Sequence, residues 1–228
     1  MRRALILALV LVSGVISVSC QGGRVVPIRP QLFGFHYQLL QKDANGEYDV
    51  KLERPNGTCG HQHMGIHQVA GFLQDKTSLV GQAMKGSNCT ESFILDQSNP
   101  NIFTRTFDVF VDPNNAARFF VTVQGKQTIS GTTSSPTGIR FGNLGPVELG
   151  QEMTTPNTDT GVLFGDGGSL WLPIPSPNNL FSFMVKSLDR NNRYGDGVFE
   201  FLAASDANNS QIILIVDGAF GMDADFKN

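Results

Sequence analysis

Charge and reactive side chains are scarce in this chain. Only 16% of its 228 residues are charged, with 17 Lys and Arg against 20 Asp and Glu. That balance argues against a general nucleic-acid partner, and it is too weak for a polyacidic mineral-binding tract. The four histidines all fall in the first third, at His36, His61, His63 and His67. The remaining two thirds therefore lack the commonest general base. No Gly-x-Ser-x-Gly elbow occurs, and the glycine-rich "FGDGGSLW" (164–171) has no P-loop lysine and follows no βαβ pattern. With no complete catalytic set legible, no enzymatic activity is expected. After residue 20 no apolar run approaches the roughly 20 residues of a membrane helix, so no membrane span is expected. Three cysteines are too few for a disulfide-dense scaffold.

What is present begins with a leader. Arg2 and Arg3 form a basic start, Ala4 to Val12 is an unbroken apolar run, and "SGVISVSC" ends it with small residues. This order predicts a secretory signal peptide over 1–20 and a secreted, extracellular domain over 21–228. Cleavage before Cys20 has Ser17 and Ser19 at the small-residue positions; cleavage after it has Val18 and Cys20. The second option leaves the even pair Cys59 and Cys89, expected as a disulfide in an oxidising compartment rather than as a nucleophile and a spare. A lipoprotein acylated at Cys20 is the alternative, but "SVSC" lacks the leucine expected three residues earlier. Removing 1–20 leaves 15 Lys and Arg against 20 acids, a net charge of −5. Three sequons beside turn-like residues make Asn56, Asn88 and Asn208 candidates for N-glycosylation.

Alternation of apolar and polar residues is the dominant pattern, and it reads as strand. In "LFGFHYQLL", Phe33, Phe35, Tyr37 and Leu39 share one face. Asn45-Gly46 is a tight-turn signal, and Tyr48, Val50 and Leu52 share a face of the return strand; together these predict a hairpin with one buried and one wet face. "NIFTRTFDVFV" and "RFFVTV" around "DPNNAA" predict a second. "TSLVGQAMKG" reads as a short helix stopping at Gly86. Residues 128–160, rich in Ser, Thr, Gly and Pro, read as a loop region with only "IRF" as a short strand. Five further strands follow, and the Asp-rich C-terminus reads as a frayed tail. With 17 Phe to fill a core, these features predict an all-β domain, a β-sandwich or jelly roll of about ten to twelve short antiparallel strands.

Three constellations carry chemistry in principle. "CGHQHMGIH" places His61, His63 and His67 on one face if it is a strand, or His63 and His67 one turn apart if it is a helix. Neutral imidazoles suit Zn or Cu, although a His-rich loop beside a disulfide is the preferred reading of the segment. "DRNNRYGDGVFE" puts Asp189, Asn191 and Glu200 at positions 1, 3 and 12 of a twelve-residue loop. Gly195 is at position 7, where the calcium-binding helix–loop–helix motif needs glycine at 6. An irregular Ca loop using Asp189, Asn191, Asn192 and Asp196 is the remaining reading, against a plain polar turn. Asp196 and Glu200 share a strand face, as a glycosidase pair must, but no cleft is signalled. Trp171, between Leu170 and Leu172, reads as core before it reads as a sugar platform.

The expectation is a secreted, N-glycosylated structural protein of the extracellular matrix, such as a cuticle, shell, skeleton or egg coat, with matrix proteins or glycans as partners. The rivals are a His-based metal protein or metalloenzyme and a calcium- or carbohydrate-binding module.

Overall fold

The computed structural model describes residues 31–74, 89–95, 102–115, 117–128, 135–165, 169–175 and 181–227. Residues 1–20, expected as a signal peptide, Asn88, the 77–86 segment and part of the expected 128–138 loop lie outside them. The described fold is all-β. One sheet contains β5 (Phe103–Val111), β6 (Phe119–Gln127), β7 (Pro136–Val147), β8 (Gly161–Phe164) and β9 (Ser169–Pro173), hydrogen-bonded in that order. The other runs β10 (Phe181–Asp189), β11 (Tyr194–Ala204), β12 (Gln211–Asp223), β1 (Leu32–Gln41) and β4 (Glu91–Ile94). Two seams join them. At one, Pro173 and Leu172 of β9 pair with Ala203 and Ala204 of β11. At the other, β12 runs through buried Ala224 into β13 (Asp225–Lys227), which pairs with β5. That last pairing is parallel, whereas only antiparallel strands were expected.

Between the sheets lies an aromatic core. Phe141 packs 4.7 Å from Phe183 and 4.9 Å from Phe199, centroid to centroid, and all three rings are fully buried. Backbone must make room for so many rings. A Cβ added at Gly218 of β12 would lie 2.2 Å from the ring of Phe199, so only glycine fits there. The same logic corrects the loop expected over 128–160. Residues 136–147 form a twelve-residue strand, β7, not an exposed loop. Gly138 approaches Gly125 of β6 so closely that an added Cβ would sit 2.2 Å from its carbonyl oxygen. The glycine that reads as a loop signal is there to let strands meet.

A second layer covers the outer face of the β1–β12–β11 side. It consists of β2 (Tyr48–Glu53) paired with β3 (Cys59–Met64), followed by α1 (Ile66–Gln74). Tyr48, Val50, Met64 and Val69 pack on Leu202, Ile212 and Leu214. Gly65 starts the helix: its carbonyl accepts from the Val69 N–H at 3.1 Å, and its own N–H donates to the Gln68 side chain at 3.0 Å. That return contact from the third helical residue is half of a capping box.

The expected β1–β2 hairpin is corrected by this layer. The turn forms, with Gly46 at φ +82°, but only Lys42 and Tyr48 bridge. β1 then pairs with β12 and β4, while β2 leaves to pair with β3. Gln38 spans the gap. Its side-chain amide donates to the Lys51 carbonyl at 2.7 Å, and its oxygen accepts from the Lys51 N–H at 2.9 Å. The face of β1 expected to be wet is therefore covered. The β5–β6 hairpin forms as expected, from Phe103↔Gln127 to Val111↔Phe119. The C-terminus is not a frayed tail: Phe220, Met222 and Ala224 are buried, and β13 is paired.

Candidate functional site

The His-rich segment changes structure midway, and this decides its geometry. β3 ends at Met64 and α1 begins at Ile66, so neither a continuous strand nor a continuous helix carries all three histidines. His61 and His63 project from the exposed side of the β2–β3 ribbon, and His67 lies on the exposed first turn of α1. His61 turns to Asp49 on β2, with Nδ1 2.9 Å from its carboxylate. His63 faces the turn after β1, its Nδ1 3.9 Å from Asp43. Among the described residues, the side chains close enough to share an ion are Asp43, Glu47 and His63, whose ligand atoms lie within 4.8 Å of one another. His61 and His67 are not in that group.

Asp43 is already engaged. One of its oxygens accepts the N–H groups of Asn45 and Glu47, each at 2.8 Å. The Glu47 N–H does most to hold its carboxyl below the ordinary range; desolvation, the next largest influence, opposes it, and the Asn45 contacts and the nearby His63 add to the lowering. It stays ionised and faces the imidazole. One nitrogen and two carboxylates form a donor set suited to Zn²⁺. Asp43 and Glu47 are not among the sequence-predicted ligands because they flank Asn45-Gly46, which reads first as a turn. Their signal was the pair of acids bracketing that turn.

The proposed calcium loop does not assemble as spaced. Asp189 uses both oxygens on Asn192, accepting from its N–H at 3.0 Å and its side-chain amide at 2.7 Å. Asp196 accepts the Ser187 hydroxyl. Glu200 lies six residues into β11 from Tyr194, about 20 Å of strand away from the turn. Asp196 and Glu200 are separated by about 13 Å of strand, too far for a glycosidase pair.

Glu200 is instead a buried acid, 4% exposed, whose Oε1 has no hydrogen-bond partner among the described residues. Its carboxyl is pushed up to about 8, chiefly by desolvation. The Asp217 N–H opposes that, and the Asp217 and Glu152 carboxylates add to it. Asp217 sits at φ +53° where the β11–β12 register slips, which turns its N–H toward Glu200.

The remaining candidates fall into place simply. Cys59 and Cys89 form a disulfide across a separation of 30 residues, tying β3 to the start of β4. Asn56 is exposed in a turn, and its side-chain oxygen accepts from the N–H and hydroxyl of Thr58 at 3.1 and 2.7 Å. Asn208 is exposed in the turn before β12. Trp171 is 8% exposed and stacked on Phe164 at 4.2 Å, so it is a core residue with one face already covered. No family model, no curated protein and no solved structure matches the chain.

Proposed function

We propose that this chain is a secreted, N-glycosylated, non-catalytic structural domain of the extracellular matrix. The observation that carries the reading is the Cys59–Cys89 disulfide within an all-β fold, because such bonds persist in oxidising compartments. The basic and apolar start of the chain supports it, as does the exposure of Asn56 and Asn208 on turns. A rigid sandwich with an added stapled layer suits a load-bearing or packing role in a cuticle, shell, skeleton or egg coat.

The test is expression of the full chain in cultured eukaryotic cells. The expected product appears in the medium, begins near Cys20 or Gln21, loses mass on treatment with a peptide N-glycosidase, and contains no free Cys59 or Cys89 thiol. Retention in the cytosol with reduced cysteines would overturn the reading.

A second reading is favoured by the convergence of Asp43, Glu47 and His63: binding of a Zn²⁺ ion in that turn. Metal analysis of the purified protein and of its His63→Ala and His61→Ala variants separates the two. Stoichiometric zinc lost only with His63 supports metal binding, and absence of bound zinc retires it.

A further inference from the structure

The turn that reads as a calcium loop in sequence presents guanidinium groups in space. Asp189 is consumed in closing the turn on Asn192, and Arg190 and Arg193 project from it. β13 brings Phe226 and Lys227 alongside, and Val111 at the end of β5 completes a shallow pocket of about 260 Å³. Arg193 lies 2.5 Å from Asp225. Lys227 lies 3.3 Å from Asp108 and also pairs with Asp225. Arg190 is different: its guanidinium lies over the Phe226 ring, 5.6 Å from the centroid, with no carboxylate partner among the described residues. The pocket lining thus carries three cations, Arg190, Arg193 and Lys227, and no carboxylate, on a chain whose net charge is −3; Asp108, Asp189 and Asp225 lie around it rather than in it.

We propose that this pocket binds an anionic sugar residue of an extracellular glycan through its carboxylate or sulfate group. A guanidinium offers a planar fork that matches either oxyanion with two parallel hydrogen bonds. Arg190 is held against Phe226 before any ligand arrives, so it loses less freedom on binding. Phe226 and Val111 supply apolar surface for the C–H face of a sugar ring. The volume suits one ring, not the extended run of an acidic peptide. The choice of a sugar rests on the extracellular reading above, whereas the preference for an anion rests on the pocket alone.

Titration calorimetry on the intact secreted protein at low salt tests this, using methyl glucuronide, N-acetylglucosamine 6-sulfate, uncharged methyl glucoside and an Asp-rich peptide. One or both charged sugars are expected to bind and the neutral one not to. Arg190→Gln, with its thermal melt unchanged, weakens binding by about tenfold or more. Asp225→Asn removes the carboxylate that competes for Arg193 and Lys227, and tightens binding several-fold, a gain that misfolding cannot imitate. Equal affinity for neutral and charged sugars, no binding at all, binding of the acidic peptide alone, or indifference to both substitutions would overturn the proposal. A chain that stays in the cytosol but, once purified, still binds the charged sugars through Arg190 would sink the extracellular reading and leave the anion site standing.

Discussion

β11 and β12 each serve two cores, and the two are built from different materials. Phe199 and Phe201 point between the sheets, where rings nest on one another and on glycines of neighbouring strands. Leu202, one residue on, points outward to the β2–β3 ribbon and α1, together with Ile212 and Leu214 of β12. The inner core is closed by pairing between strands far apart in sequence. The outer layer is held by a smaller aliphatic patch, one disulfide and the Gln38 amide. Its polar edge carries His61, His63 and His67, and Glu200 stands on the same face of β11 as Leu202. The contrast teaches that rigidity and chemical variety have been separated. The aromatic interior carries the fold, and the covering layer carries the histidine-rich segment.

The largest effect that would test this division is in the inner core. Phe141→Ala removes a ring within 6.2 Å of four other phenylalanine rings, and is expected to cost about 3–5 kcal/mol in urea unfolding. Next comes the disulfide. Replacing Cys59 and Cys89 together by serine is expected to cost about 3 kcal/mol. Hydrogen exchange should quicken in β2, β3 and α1 while β6 and β7 stay protected. Loss of protection in β6 and β7 as well would break the comparison, because the layer would then be part of the core's own cooperative unit.

Third is Glu200. An ordinary glutamate loses its proton near 4.5 once unfolded, whereas the native group holds it up to about 8. Between those values the native state binds more protons, so stability falls as pH rises, by at most about 1.4 kcal/mol per pH unit, and levels off above pH 8. Glu200→Gln should flatten that slope and leave the variant the more stable form at pH 9. An unchanged slope would mean that the acid is ionised and satisfied. The smallest effect is at the clamp. Gln38→Ala loses two hydrogen bonds to Lys51 and is expected to cost about 1–2 kcal/mol, with faster exchange confined to β2. Equal loosening of β12 would show that the layer and the sheet beneath do not open separately.

The all-β class was legible because side-chain alternation is a local property, and β1, β5, β6, β10 and β11 display it plainly. Partner choice was not legible. Leu32–Gln41 and Tyr48–Glu53 look like a hairpin from their turn and faces, yet their ladders go to β12 and β3, and nothing within either segment encodes that. β7 was hidden because glycine has two meanings, chain flexibility and close approach, and only the neighbouring strand distinguishes them. The disulfide followed from the even pair of cysteines. Of the histidine cluster, composition was visible but geometry was not. Gly65 with Gln68 switches strand to helix between His63 and His67 and parts ligands that either regular structure would have aligned. Asp43 and Glu47 bracket the turn visibly, but their link to His63 runs through the β2–β3 pairing, which the sequence does not show.

Leu32 is hydrogen-bonded in register with Gly221, and the strip that locks the far seam follows a few residues later. On the ribosome, the first strand can find β4 early, but its other neighbour does not exist until nearly all of this sequence has been made. Such distant partners make closure slow, on the order of milliseconds to seconds. For that interval the layers are not yet closed on one another, and the side chains of Asn56 and Cys59 are within reach of whatever modifying enzymes surround the chain.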